Sequence, residues 1–145
     1  MHKLIFNILH EGDFRMPLNN PNTAISQENQ WEASVSEFRR SIPAGPALTK
    51  GQISEMLVRV IVLEDSVKIA RANYESQDTV LDLQLQVAVA ASHAYKMASI
   101  QSLAVARTQG DLFAVESNLK AWKTAEHMIE AVHAEMVMRA RNKDV

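Results

Sequence analysis

From residue 49 onward the apolar side chains step by three and four, the period of a helix that buries one face. Ile53, Met56, Leu57, Val60, Leu63, Val67, Ala70 and Tyr74 make one such stripe, with Glu55, Arg59, Asp65, Lys68 and Arg71 largely off it. Val58, Ile61, Val62 and Ile69 widen the apolar surface beyond a simple seam, so this helix is expected to touch more than one neighbour. Thr49-Lys50-Gly51-Gln52 has the form of a capping box and marks its start. A second helix is expected from a cap at Ser76-Gln77-Asp78 to about Gln109. A third carries Leu112, Val115, Leu119, Trp122, Ala125, Ile129, Val132 and Met136 along one stripe.

Two points in this pattern have competing readings. Leu83, Leu85, Val87 and Val89 alternate with Gln84, Gln86 and Ala88, a period of two that suits a strand. The alanines Ala88, Ala90, Ala91, Ala94, Ala98, Ala104 and Ala106 favour helix, and no partner strand is evident. Gly110-Asp111 can end one helix through a left-handed glycine and cap the next, giving an antiparallel hairpin; the alternative is one continuous rod with a tolerated glycine.

The first third of the chain reads differently. Residues 17–30 are polar and amide-rich and bury too little to offset their ordering entropy, which predicts disorder. Trp31, Val35 and Phe38 share one face of a short helix near 31–40, and Pro43-Ala44-Gly45-Pro46 breaks it. Residues 1–48 are therefore expected to be largely flexible, and 49–145 to form the helical domain. Leu4-Ile5-Phe6-Asn7-Ile8-Leu9 is too short an apolar run for a secretory signal, is followed by Glu11 and Asp13, and lacks a small-residue cleavage site. Met16-Pro17-Leu18-Asn19 makes an alternative start. The fold class is all-α, a long helical hairpin or a three-helix bundle with a disordered amino-terminal region.

Composition narrows the function by exclusion. A net charge of -2 from 15 basic and 17 acidic residues gives no field that gathers phosphate backbones or anionic lipid, so nucleic acid is disfavoured as a partner. The Thr79–Gln109 stretch is too polar to span a bilayer. The absence of cysteine removes disulfides, thiolate metal sites and cysteine nucleophiles. Localisation is expected to be cytoplasmic, or exported without a cleaved signal.

The chemistry-bearing residues are sparse. Glu130-Ala-Val-His133, beside Glu126 and His127, has the Glu-x-x-His spacing of carboxylate-bridged di-metal bundles. Such a site needs a second Glu-x-x-His and further glutamates on facing helices. Neither Glu64 nor Glu75 supplies one, so a solvated helix face is the preferred reading and no metal or cofactor is expected. His93, between Ser92 and Ala94 in the uncharged stretch, reads as a buried neutral imidazole. Arg139, Arg141 and Lys143 suit the negative end of the last helix dipole. No nucleophile motif, phosphate loop or paired-acid arrangement stands out, so enzymatic activity is not expected.

Asp78-Thr79-Val80-Leu81-Asp82-Leu83-Gln84, followed by Val87, Ser92, Tyr95-Lys96 and Ser99, resembles the carboxyl-terminal helix of type III secretion rod and needle subunits. In those families a short turn leads into a helix with a Leu-x-x-Gln-like start, an uncharged middle, and small or polar residues that pack between protomers. Residues 17–30 are similar to the uncleaved export signal of such substrates. The resemblance covers residues 78–107, and the chain departs from it by adding a long helix after Asp111, which fits an accessory subunit or helical chaperone better than a simple rod.

The expectation is a non-enzymatic helical subunit that binds a helical protein partner or itself. Its candidate interface residues are Leu81, Leu85, Ala88, Ala91, Tyr95, Leu119, Trp122, Ile129 and Met136. A freestanding helical chaperone or regulatory adaptor is the first alternative, and a carboxylate-bridged metal bundle the second.

Overall fold

The computed structural model describes residues 32–143, which form four helices and no strand. The segments expected to be disordered, the alternative start at Met16 and the side chain of Trp31 lie outside the described residues. Helix α1 spans 32–41, α2 Lys50–Ala72, α3 Gln77–Gln109 and α4 Leu112–Lys143.

Local chemistry fixes each boundary. Thr49 Oγ1 accepts from Gln52 N at 3.2 Å and the Gln52 side chain accepts from Thr49 N at 2.9 Å, so the capping box forms in full. At its other end α2 stops at Ala72, and Tyr74 adopts φ 54. Tyr74 N donates to Arg71 O at 3.1 Å and Glu75 N to Ala70 O at 3.0 Å, which is the Schellman hydrogen-bond pattern with a tyrosine where glycine is usual. Tyr74 therefore does not extend the buried stripe; it is 94% exposed at the tip of the turn.

Ser76 caps α3 by accepting from Thr79 N at 3.2 Å. Gly110 ends α3 in the left-handed conformation (φ 68), and Asp111 Oδ1 accepts from Ala114 N at 3.2 Å to open α4. The chain thus turns back at Gly110 as a hairpin, and residues 83–89 are helical despite their alternation.

Helix α3 is the shared centre, packing against α2 on one face and α4 on another, while no comparable interface joins α2 to α4. The α2–α3 contact is built on Val60, Val67 and Ala70 against Val80, Val87 and Ala94. The α3–α4 contact uses small side chains: Ala88, Ser99 and Ala106 are fully buried and Ser102 is 3% exposed, which lets the helices approach closely. The Ser99 and Ser102 hydroxyls donate to Tyr95 O and Ser99 O, so neither buried oxygen is stranded. The Asn118 amide reaches across to Ala98 O at 3.4 Å.

The helical body begins before residue 49. Val35 is 1% exposed, and Ile42 joins Ile100, Ala106, Val115 and Leu119 in a second core cluster with Phe38 against it. Helix α1 thus covers the half of α3–α4 next to Gly110, and α2 covers the half next to the Tyr74 turn.

Candidate interaction surface

The sequence-derived interface residues divide between core and margin. Leu81, Ala88 and Leu119 are buried within the chain itself. Leu85, Ala91, Tyr95, Trp122, Ile129 and Met136 are half-buried along the helix contacts, and the Trp122 indole donates to Glu126 Oε1 at 3.1 Å. Apolarity alone selected them, and apolarity does not separate a side chain covered by its own chain from one awaiting another.

The uncovered apolar surface lies on α2. Val58, Ile61 and Val62 are each 57% exposed and Ile69 is 60% exposed, while Ile53, Val60, Val67 and Ala70 on the opposite side are buried. Positions 58, 61, 62, 65 and 69 follow the three-four rhythm, so the four aliphatics form one outward stripe with Asp65 in its middle. Lys68 Nζ lies 4.0 Å from Asp65, an exposed pair worth little by itself. A helix apolar on two opposite faces has one face more than α3 can cover. Tyr74 stands just past the end of this stripe. Its left-handed backbone and nearly full exposure are both unfavourable for a tyrosine that serves only the fold.

The remaining surface holds charge clusters and shallow clefts. At the free end of the α3–α4 hairpin, Arg139 Nε donates to Asp78 Oδ1 at 3.0 Å and the Lys143 ammonium to Asp78 Oδ2. These hydrogen bonds, from Lys143 and then Arg139, hold the Asp78 carboxyl below its usual range. Arg139 and Lys143 were expected only to complement the helix dipole; the antiparallel return of α4 carries them onto Asp78, a contact that spacing along the chain does not announce. A cleft of about 240 Å³ lies beside this cluster, and another of about 320 Å³ lies between α1 and α4. Glu116 lines the second, its carboxyl raised by burial and by nearby Glu37, with Lys120 partly opposing.

His93 is exposed rather than buried, because it lies on the side of α3 turned away from its neighbours, one residue before the fully buried Ala94. His127, Glu130 and His133 are likewise exposed on α4. Among the described residues no three His, Asp or Glu side chains stand together as a metal site, and no helix is long and apolar enough to cross a membrane.

Compared with protein-family models, characterised proteins and solved structures, the chain matches none.

Proposed function

We propose that this chain is a non-enzymatic helical interaction subunit whose docking surface is the outward face of α2, with Tyr74 at its end. The carrying observation is the two-sided apolar character of α2, only one side of which α3 covers. Four neighbouring aliphatics, each more than half exposed, leave on the order of 400 Å² of apolar surface in water, about the largest patch an ordinary monomer tolerates. A helix laid along Val58, Ile61, Val62 and Ile69 removes that surface, and an exposed aromatic beside it is the residue type that anchors such contacts.

The setting we propose is a bacterial type III secretion apparatus, in an accessory or structural role. This part rests on the resemblance of residues 78–107 to rod and needle subunits alone. The additional helix α4 occupies the α3 face that carries Leu81 and Ala88, which favours an accessory subunit over a rod protomer.

The test is purification of the tagged chain from the organism that encodes it, as wild type, as Ile61→Glu/Val62→Glu, and as Met138→Glu on exposed α4 surface. The reading expects a stoichiometric assembly that the α2 variant loses and the α4 variant keeps, at equal helicity. Recovery of a lone monomer in all three, or an assembly indifferent to the α2 substitutions, refutes it.

A further inference from the structure

The cleft of about 320 Å³ between α1 and α4 brings two carboxylates together at an interface that can open. Glu37 comes to it from α1 and Glu116 from α4. Lys120 and Lys123 stand beside them, both on α4 and therefore present whether or not α1 is docked. Arg39, a cation of α1, lines the cleft on the other side of that helix, against Ile100 and Leu103. Among the described residues α3 brings no charged side chain to the Glu37–Glu116 cleft. Docking α1 thus sets an acid beside an acid and covers Glu116 at the same time.

Apolar contact holds α1 in place through Val35, Phe38 and Ile42, the last two on the core of Ile100, Val115 and Leu119. A single short helix, tethered to α2 through the Pro43–Pro46 segment, can leave by local opening while the α3–α4 contact stays.

When α1 leaves, water reaches Glu116 and Glu37 departs with its helix. The charged carboxylate is therefore penalised by docking and the protonated acid is not. Accordingly the Glu116 carboxyl is raised above its ordinary 4.5 in the docked state, by burial first, with Lys120 opposing and Glu37 adding to the rise. A carboxyl raised by docking takes up its proton more readily docked than released. Linkage then makes docking firmer as pH falls through the raised value, and the gain is complete below the ordinary one.

We propose that this cleft is a proton-operated clasp, in which a proton taken up at Glu116 tightens α1 over the Gly110 end of the α3–α4 hairpin and its loss loosens it. The opposite end of the hairpin responds in the opposite sense and at lower pH, because the Asp78 contacts with Lys143 and Arg139 need the ionised carboxylate. Acidification firms one end before it weakens the other.

Amide exchange on the full-length protein, with the pH dependence of intrinsic exchange divided out, tests this between about pH 7 and pH 4.5. In the wild type the protection of α1 rises roughly twofold or more over that range while the end of α4 holds steady. Glu116→Gln carries no charge, so its α1 is already well protected at neutral pH and shows no step. Glu37→Gln keeps a smaller step, because the burial of Glu116 remains. Glu130→Gln, which removes an exposed carboxyl of α4 outside the cleft, keeps the full step. Wild-type protection of α1 that is flat or falls, a step that survives Glu116→Gln, or one lost equally in Glu130→Gln overturns the proposal. A side-chain NMR titration of Glu116 gives a second reading: its midpoint lies above 4.5 in the wild type and moves back toward it in Phe38→Ala, whose α1 is held less tightly. A midpoint indifferent to Phe38→Ala equally overturns it.

Discussion

Val115 and Val89 are the same residue in helices of the same fold, one fully buried and the other 51% exposed, and truncating each to alanine isolates what burial contributes. At Val115 the substitution removes two methyl groups packed among Ile42, Ile100, Ala106 and Leu119. The lost transfer free energy is about 1.6 kcal/mol at ~0.8 kcal/mol per group, and the unfilled space adds roughly 1 kcal/mol. Alanine returns about 0.5 kcal/mol through helix propensity, leaving a net loss of about 2 kcal/mol. At Val89 the transfer loss is mostly absent and the propensity gain remains, so the variant is neutral or slightly more stable. Urea unfolding followed by circular dichroism reads both. With m of about 1–2 kcal/mol/M, Val115→Ala lowers the midpoint by about 1–2 M and Val89→Ala leaves it in place. Equal midpoint shifts would refute the assignment of Val115 to the α1–α3–α4 core.

The two left-handed positions give opposite expectations. Gly110→Ala costs about 1 kcal/mol from backbone strain alone, since no atom crowds the added Cβ, whereas Tyr74→Gly gains on the order of 0.5–1 kcal/mol; midpoints from urea unfolding measure both. Ala94→Leu, at a fully buried position between α2 and α3, destabilises by about 1–3 kcal/mol through overpacking and speeds amide exchange in α2 before α4. The Asp78 carboxyl is held below its unfolded value, so its contacts with Lys143 and Arg139 contribute fully above the usual carboxylate range and are lost as pH falls through the depressed value. The protection factors of amides at the end of α4, with the pH dependence of intrinsic exchange divided out, therefore fall on acidification in the wild type and are already low, without that pH step, in Asp78→Asn.

The sequence was most informative where one residue's chemistry decides the backbone. The threonine-glutamine box at Thr49, the serine at Ser76 and the Gly110-Asp111 pair each act within four residues, and each ends or begins a helix as expected. Residues 83–89 were ambiguous by period and resolved by their alanine-rich continuation. Periodicity fails to say which of two apolar faces the chain will cover. On α2 both Ile53-Val60-Val67 and Val58-Ile61-Ile69 are apolar, and only the return of α3 separates them. The same limit explains why Leu81, Ala88 and Leu119 read as interface candidates although their own chain covers them. Tyr74 continues the stripe by spacing, yet lies outside it because α2 ends two residues earlier and the turn reverses its direction. Exposed His93 shows that a run without charge is not a run without surface.

The packing ties α2 to α3 by a smaller interface than the one that joins α3 to α4. Helices α3 and α4 are joined along their length by small buried residues, by the Asn118 amide on Ala98 O and by the Asp78 cluster at the far end, so opening them exposes polar atoms as well as apolar surface. Helix α2 rests on α3 through an apolar core, has no comparable interface with α4, and turns its other apolar face to water. Elements with one covered face and few cross-links open at lower free energy than the rest of a fold. A ligand on the outward face of α2 adds the second layer of contacts that this helix lacks. Binding there would therefore stabilise α2 on α3, and by linkage whatever holds α2 against α3 would also favour the bound state.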